Sequence, residues 1–143
     1  MNYLDTNVIV YAIENHPTYG KACKRILEDI QDKKLPAASS ILTLVELLNV
    51  LVKLNRARKA KGKNTVDMHG SLLALLSLPI TWLELDSAVI ERSFQYDYKV
   101  SGVDYVHIAS MEIHGIYSLL SADREFDKIA FIKRTDPLAY KGE

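Results

Sequence analysis

The first eleven residues constrain the fold more than any other stretch. Tyr3-Leu4-Asp5-Thr6-Asn7-Val8-Ile9-Val10-Tyr11 is apolar, aromatic and β-branched, yet one carboxylate and two small polar residues interrupt it. Apolar residues at the start of such a run read as a buried strand. Asp5 then stands at the strand's C-terminal end, where α/β proteins bind ligands. Asp5 also suits the N-cap of a helix beginning at Thr6 or Asn7, because an Asp side chain accepts from the first unpaired backbone N–H groups.

Strand and helix alternate along the rest of the chain. His16-Pro17 marks a turn, and Ala22, Ile26, Leu27 and Ile30 give one apolar face to a helix from about Thr18 to Lys33. Leu35 to Ala38 reads as a brief strand, and Ser39-Ser40 caps the next helix. That helix, Ile41 to Leu54, is apolar on almost every side, as expected of a helix buried in a core. Thr43, Glu46, Asn49 and Lys53 make a polar stripe along it. Flanked by Leu44, Val45, Leu47 and Leu48, Glu46 must either reach solvent or have a partner, and a cleft with a bound cation satisfies it as well as water does. A helix from about Thr65 to Leu78, a strand near Ile80 to Leu83 and a helix from Asp86-Ser87 to about Tyr98 follow. Ser101-Gly102-Val103-Asp104 starts a helix that Gly115 closes, with Asp104 again a candidate cap. His107 and His114 on this helix read as partly exposed. Ile116 to Leu120 reads as a strand running into Ser121-Ala122-Asp123, and a last strand is expected near Ala130 to Ile132.

Composition excludes several function classes. A chain of 143 residues reads as one domain, 1–143, that buries about two-thirds of its unfolded surface. Cys23 is the only cysteine, which rules out internal disulfides and cysteine-based metal sites. Lys plus Arg balances Asp plus Glu at 18 each, so no overall cationic field draws the protein to nucleic acid or membrane. Positive charge gathers between Lys53 and Lys63 instead, where Arg56, Arg58 and Lys59 read either as phosphate contacts or as a solvated helix end. The longest uncharged run, Gly70 to Leu83, is too short to span a bilayer. A soluble, cytoplasmic protein is expected.

Three acids, Asp5, Asp104 and Asp123, thus fall at strand ends or helix starts, and Glu46 falls inside an apolar helix. In a parallel sheet, strand ends and the helices that follow them share one edge, so these residues can converge. Capping explains three of them but not Glu46. Clustered carboxylates raise one another's pKa unless a cation sits between them, and all-oxygen donors suit Mg²⁺ or Mn²⁺. Such an ion can activate water and stabilise a leaving oxygen. Phosphodiester hydrolysis is the reaction this equipment fits.

The segments YLDTNVIVY, TLVELL, GVDYVHIASM and LLSADREFDKI, in that order, resemble the PIN-domain family of metal-dependent ribonucleases, and the compact form resembles the VapC toxins of toxin–antitoxin pairs. Carried over position by position, Asp5, Glu46, Asp104 and Asp123 match the family's acidic quartet. Asn7 and Ser121 match its polar helpers, and Asp127 is a candidate fifth acid. The resemblance implies an α/β/α sandwich around a parallel sheet, dependence on Mg²⁺ or Mn²⁺, an RNA substrate, a homodimer and an antitoxin partner. Two alternatives share the fold: an RNA-processing nuclease without an antitoxin, and a non-catalytic RNA-binding module. A dehalogenase-like phosphatase also begins with a strand-end Asp but needs a second Asp two positions on, where this chain has Asn7.

Overall fold

The computed structural model describes residues 1–142. Strands β1 (Asn2–Leu4), β2 (Ala37–Ser40), β3 (Ile80–Leu83), β4 (Ser118–Leu120) and β5 (Lys133–Thr135) form one sheet in the order β3-β2-β1-β4-β5. Every pairing is parallel, with Tyr3 opposite Ala38 on one side and Leu119 on the other. Helices α1 (Thr6–Ile13), α2 (Gly20–Gln31), α3 (Ile41–Ala60), α4 (Met68–Leu76), α5 (Ser87–Ser93) and α6 (Gly102–Ile113) connect the strands, with a 3₁₀ turn at Arg124–Lys128.

Successive side chains of a strand face opposite sides, and that alternation builds two cores. Leu4, Ala37, Ile80 and Leu120 pack with Val8 and Ile9 of α1, Ile26 and Ile30 of α2, and Leu47 and Leu51 of α3. Their neighbours Tyr3, Ala38, Leu83 and Leu119 pack with Ile108 and Met111 of α6 and with Phe126. The result is the expected three-layer α/β/α sandwich. Strands are added outward from β1 through β2 to β3, then on its other flank through β4 to β5. The order therefore reverses between β1 and β4, and a crevice opens at their C-terminal ends.

Five details depart from the sequence reading. The last strand is the polar Lys133–Thr135 rather than Ala130 to Ile132. Ile129 and Ile132 fill the core beneath a turn, and β5, as an edge strand, needs no apolar run. Helix α5 stops at Ser93, whereas α3 continues through the basic run to Ala60. Nor is α3 buried all round: Val45 and Leu48 are 57% and 56% exposed. Thr43, expected on a polar stripe, is fully buried and bonded to the Ser39 hydroxyl at 2.8 Å. No helix among the described residues is long and apolar enough to cross a membrane.

Candidate active site

Asp5, Glu46, Asp104 and Asp123 line one cleft of about 260 Å³ with Thr6, Asn7, Val10 and Val50. Each arrives on a different element. Asp5 follows β1, Glu46 stands in the second turn of α3, Asp104 in the first turn of α6, and Asp123 in the segment after β4. Residues far apart in the chain meet because all four segments leave the same edge of the parallel sheet.

Asp5 is both an N-cap and a wall of the cleft. Its Oδ1 accepts the Thr6 amide at 2.7 Å, while its Oδ2 accepts the Ser121 hydroxyl at 2.5 Å and the Asn7 amide at 3.0 Å. Asn7 also donates to Ser121 Oγ at 3.3 Å and accepts the Ala122 backbone amide at 3.3 Å. Ser121 and Asn7 thus tie the loop after β1 to the loop after β4. Burial raises the Asp5 pKa, and the bonds from Ser121 and Thr6 only partly offset it.

Glu46 takes both its hydrogen bonds on one oxygen. Thr6 Oγ1 donates to Oε1 at 2.9 Å, and His107 Nε2 contacts the same atom. Burial pushes the Glu46 carboxyl up, but the bonds from His107 and Thr6 outweigh it, so the net displacement is downward. His107 is 2% exposed, which corrects the expectation of a partly exposed histidine, while His114 is exposed. Sequence reasoning passed over His107, Thr6 and Tyr3. The available signal was spacing: His107 is one helical turn beyond Asp104 and shares its face.

Asp104 and Asp123 differ in what else they do. Ser101 caps α6, accepting the Asp104 amide at 3.1 Å, so the Asp104 carboxylate has no capping duty. Asp123 caps the 3₁₀ turn through the Glu125 amide at 2.9 Å, and its own amide bonds to Ser121 Oγ at 3.0 Å. Burial raises the pKa of Asp104, with repulsion from Asp123 adding to it against the bond from Ser101. A carboxyl raised in this way contributes stability below its unfolded pKa of about 3.9 and loses it as pH rises through the folded value. Asp104→Asn should therefore raise the melting temperature of the cation-free protein at neutral pH, and the gain should shrink to nothing near pH ~4. Melting curves taken in chelator across that range test this; a gain equally large in acid would place its cause outside the ionisation of Asp104.

The remaining candidates lie away from the cleft. Asp127 forms a two-pronged pair with Arg134, at 2.8 and 3.1 Å, and the bonds from that guanidinium hold its carboxyl low. Arg134 in turn donates to the Ser121 carbonyl at 2.9 Å, so Asp127 reaches the cleft only through Arg134 and is not a fifth wall acid. Arg56 and Lys59 are exposed on α3, about 15–20 Å along the helix from Glu46 at 1.5 Å per residue. Arg58 donates to the Asn64 carbonyl at 3.2 Å and braces the loop after α3.

Four carboxylates in one cleft make an all-oxygen donor set, the chemistry that Mg²⁺ or Mn²⁺ prefers. Burial displaces Asp5 and Asp104 upward, so a cation in the cleft would favour their charged forms. Among the described residues, however, no group of three acids, histidines or cysteines already stands close enough to ligate one ion. Bringing three of them onto one ion requires side-chain movement, for which Asp104, with no capping duty, is the freest. The residues fit the ion by chemistry and by location rather than by a ready-made cage.

A doubly wound parallel sheet carrying clustered carboxylates at its switch point is the class that fold and site define. The chain belongs to the PIN domain family, whose model matches residues 3–132. No curated protein matches it in sequence. Among solved structures, VapBC2 from Rickettsia felis bound to a DNA fragment from their promoter is 19% identical with a TM-score of 0.69, over 95% of this chain and 98% of that one. Mycobacterium tuberculosis VapC20, a Sarcin-Ricin loop cleaving toxin, is 18% identical with a TM-score of 0.67, over 92% and 97%. A toxin–antitoxin complex from Klebsiella pneumoniae is 20% identical with a TM-score of 0.64, over 96% and 98%. At these identities the likeness is one of fold.

Proposed function

We propose that this protein is a divalent-cation-dependent endoribonuclease and the toxin of a toxin–antitoxin pair. The observation that carries the reading is the meeting of Asp5, Glu46, Asp104 and Asp123 in one cleft, at the switch point of a PIN-domain sheet. Asp5, Asp104 and Asp123 would supply oxygens to Mg²⁺ or Mn²⁺, and Glu46, whose pKa is held low, would add a fourth carboxylate. A divalent cation held there would supply an activated water and charge neutralisation at the phosphate oxygens. Asn7 and Ser121 hold Asp5 in place, so that its orientation does not depend on the substrate.

The toxin reading is supported by the PIN-domain family membership and by solved toxin–antitoxin complexes of the same fold. An apolar groove of about 450 Å³ between α3 and α4, lined by Leu44, Leu48, Leu51, Met68, Leu72 and Leu76, suits a protein partner, which we take to be the antitoxin. The protein itself is read as a homodimer. Purified protein should cleave a labelled single-stranded RNA with Mg²⁺ or Mn²⁺ and not with excess chelator; undiminished cleavage in chelator would contradict the reading.

Arg56 and Lys59 are proposed to meet substrate phosphates outside the cleft. Replacing both with Gln should reduce the steepness of the salt dependence of RNA binding by about 1.4, at roughly 0.7 for each phosphate no longer neutralised. An unchanged slope would return the basic run to a solvated helix end.

A further inference from the structure

We propose that His107 is a positioning residue for Glu46, one that fixes which carboxylate oxygen faces the cleft. The inference rests on Glu46 being a working acid of the proposed active site. Glu46 belongs to α3, on one side of the sheet, and His107 to α6, on the other. Their contact, Nε2 to Oε1, crosses the C-terminal edge of the sheet and joins the two helical layers where the cleft opens. The other ring nitrogen, Nδ1, meets the Tyr3 hydroxyl at 2.5 Å.

The direction of these bonds follows from Tyr3. It is 1% exposed on the central strand, and a phenol, with an ordinary pKa of about 10, carries its proton at neutral pH. Its proton lies within hydrogen-bond reach of Nδ1, and the inferred arrangement has the phenol donating there. With Nδ1 accepting, the ring carries its hydrogen on Nε2 and donates it to Glu46, since the partner of one ring nitrogen sets the role of the other.

The consequence falls on Glu46. A Glu side chain on a half-exposed helix loses rotamer entropy when held in one place, so something must hold it. Here Thr6 and His107 both bind Oε1, which leaves Oε2 to the cleft. His107 is suited to the task because it is itself immobile, buried between β1 and α6 with both nitrogens occupied. A histidine that merely filled the core would have no reason to spend its Nε2 on a carboxylate of the cleft wall.

The test compares His107→Leu, which fills the space without a donor, with His107→Gln, whose amide nitrogen can reach the Nε2 position. Cleavage of an end-labelled single-stranded RNA in Mn²⁺ gives kcat and KM, with Glu46→Gln as the reference. His107→Leu should lower kcat by about 10–100-fold, the usual cost of removing a group that orients a metal-site residue, with KM little changed. His107→Gln should recover most of that loss. Independently of activity, nitrogen-15 spectra of the metal-free protein should show the His107 ring hydrogen on Nε2, and Glu46→Gln should move that proton's resonance. Tyr3→Phe, which keeps the ring and drops the hydroxyl, should move it as well, and serves if His107→Leu does not fold. Loss of cleavage in Glu46→Gln together with full kcat in His107→Leu would overturn the inference alone. An Nε2 resonance indifferent to Glu46→Gln would do the same. Full cleavage by Glu46→Gln would overturn the assignment of Glu46 to the site, and this inference with it.

Discussion

Asp5→Asn should remove RNA cleavage while leaving the protein folded. The expected loss is about 100- to 1000-fold, the scale on which one preorganised electrostatic contact acts in an active site. Asn keeps the shape of Asp and much of its capping ability, so the bond from the Thr6 amide survives the change. What disappears is one negative charge at the centre of the cleft, in a carboxylate held there by Ser121 and Asn7. Melting curves and cleavage rates measured on the same preparation separate the two roles. A folded variant with a rate within a few-fold of the parent would mean that Asp5 is a helix cap and nothing more.

Leu120→Ala should be the most damaging single change to the scaffold beneath the site. Leu120 is 1% exposed in β4, opposite Leu4 of the central strand. Truncating a leucine so enclosed costs about 2–5 kcal/mol, because the cavity does not close completely. In a domain of this size that lowers the melting temperature by roughly 5–15 °C. The next residue is Ser121, whose hydroxyl holds Asp5, so the core of the sheet and the geometry of the cleft are physically continuous. A loss below about 1 kcal/mol would show that β4 does not pack as described.

Much of this architecture was legible in the sequence because its signals are local. An apolar strand ending in an acid, repeated after β1 and again after β4, gives the parallel sheet and its functional edge. Ser40 and Asp86 announce the helices that they cap. Glu46 stood out because an acid amid leucines needs a partner. That partner was harder to see. His107 lies 61 positions further on, and its burial comes from the meeting of two layers, which no local period encodes. The exposed Val45 and Leu48 mislead for a related reason: an apolar residue looks the same in sequence whether the chain's own core or another protein covers it. Lys133–Thr135 was missed as a strand because an edge strand can be polar. Asp104 was read as a candidate cap although Ser101, three residues earlier, takes that place.

The central claim is that Asp5 and its neighbouring carboxylates together hold a divalent cation, and titration of the protein with Mn²⁺ followed by electron paramagnetic resonance tests it without recourse to any substrate. Free Mn²⁺ gives a sharp signal that weakens on binding, so the fraction bound is read directly. Binding should be saturable in the parent protein and lost in Asp5→Asn at neutral pH, where removal of one anionic ligand leaves the remaining oxygens with too little charge to hold a hard cation. Equal binding by the parent and Asp5→Asn, or none by the parent at millimolar Mn²⁺, would contradict it.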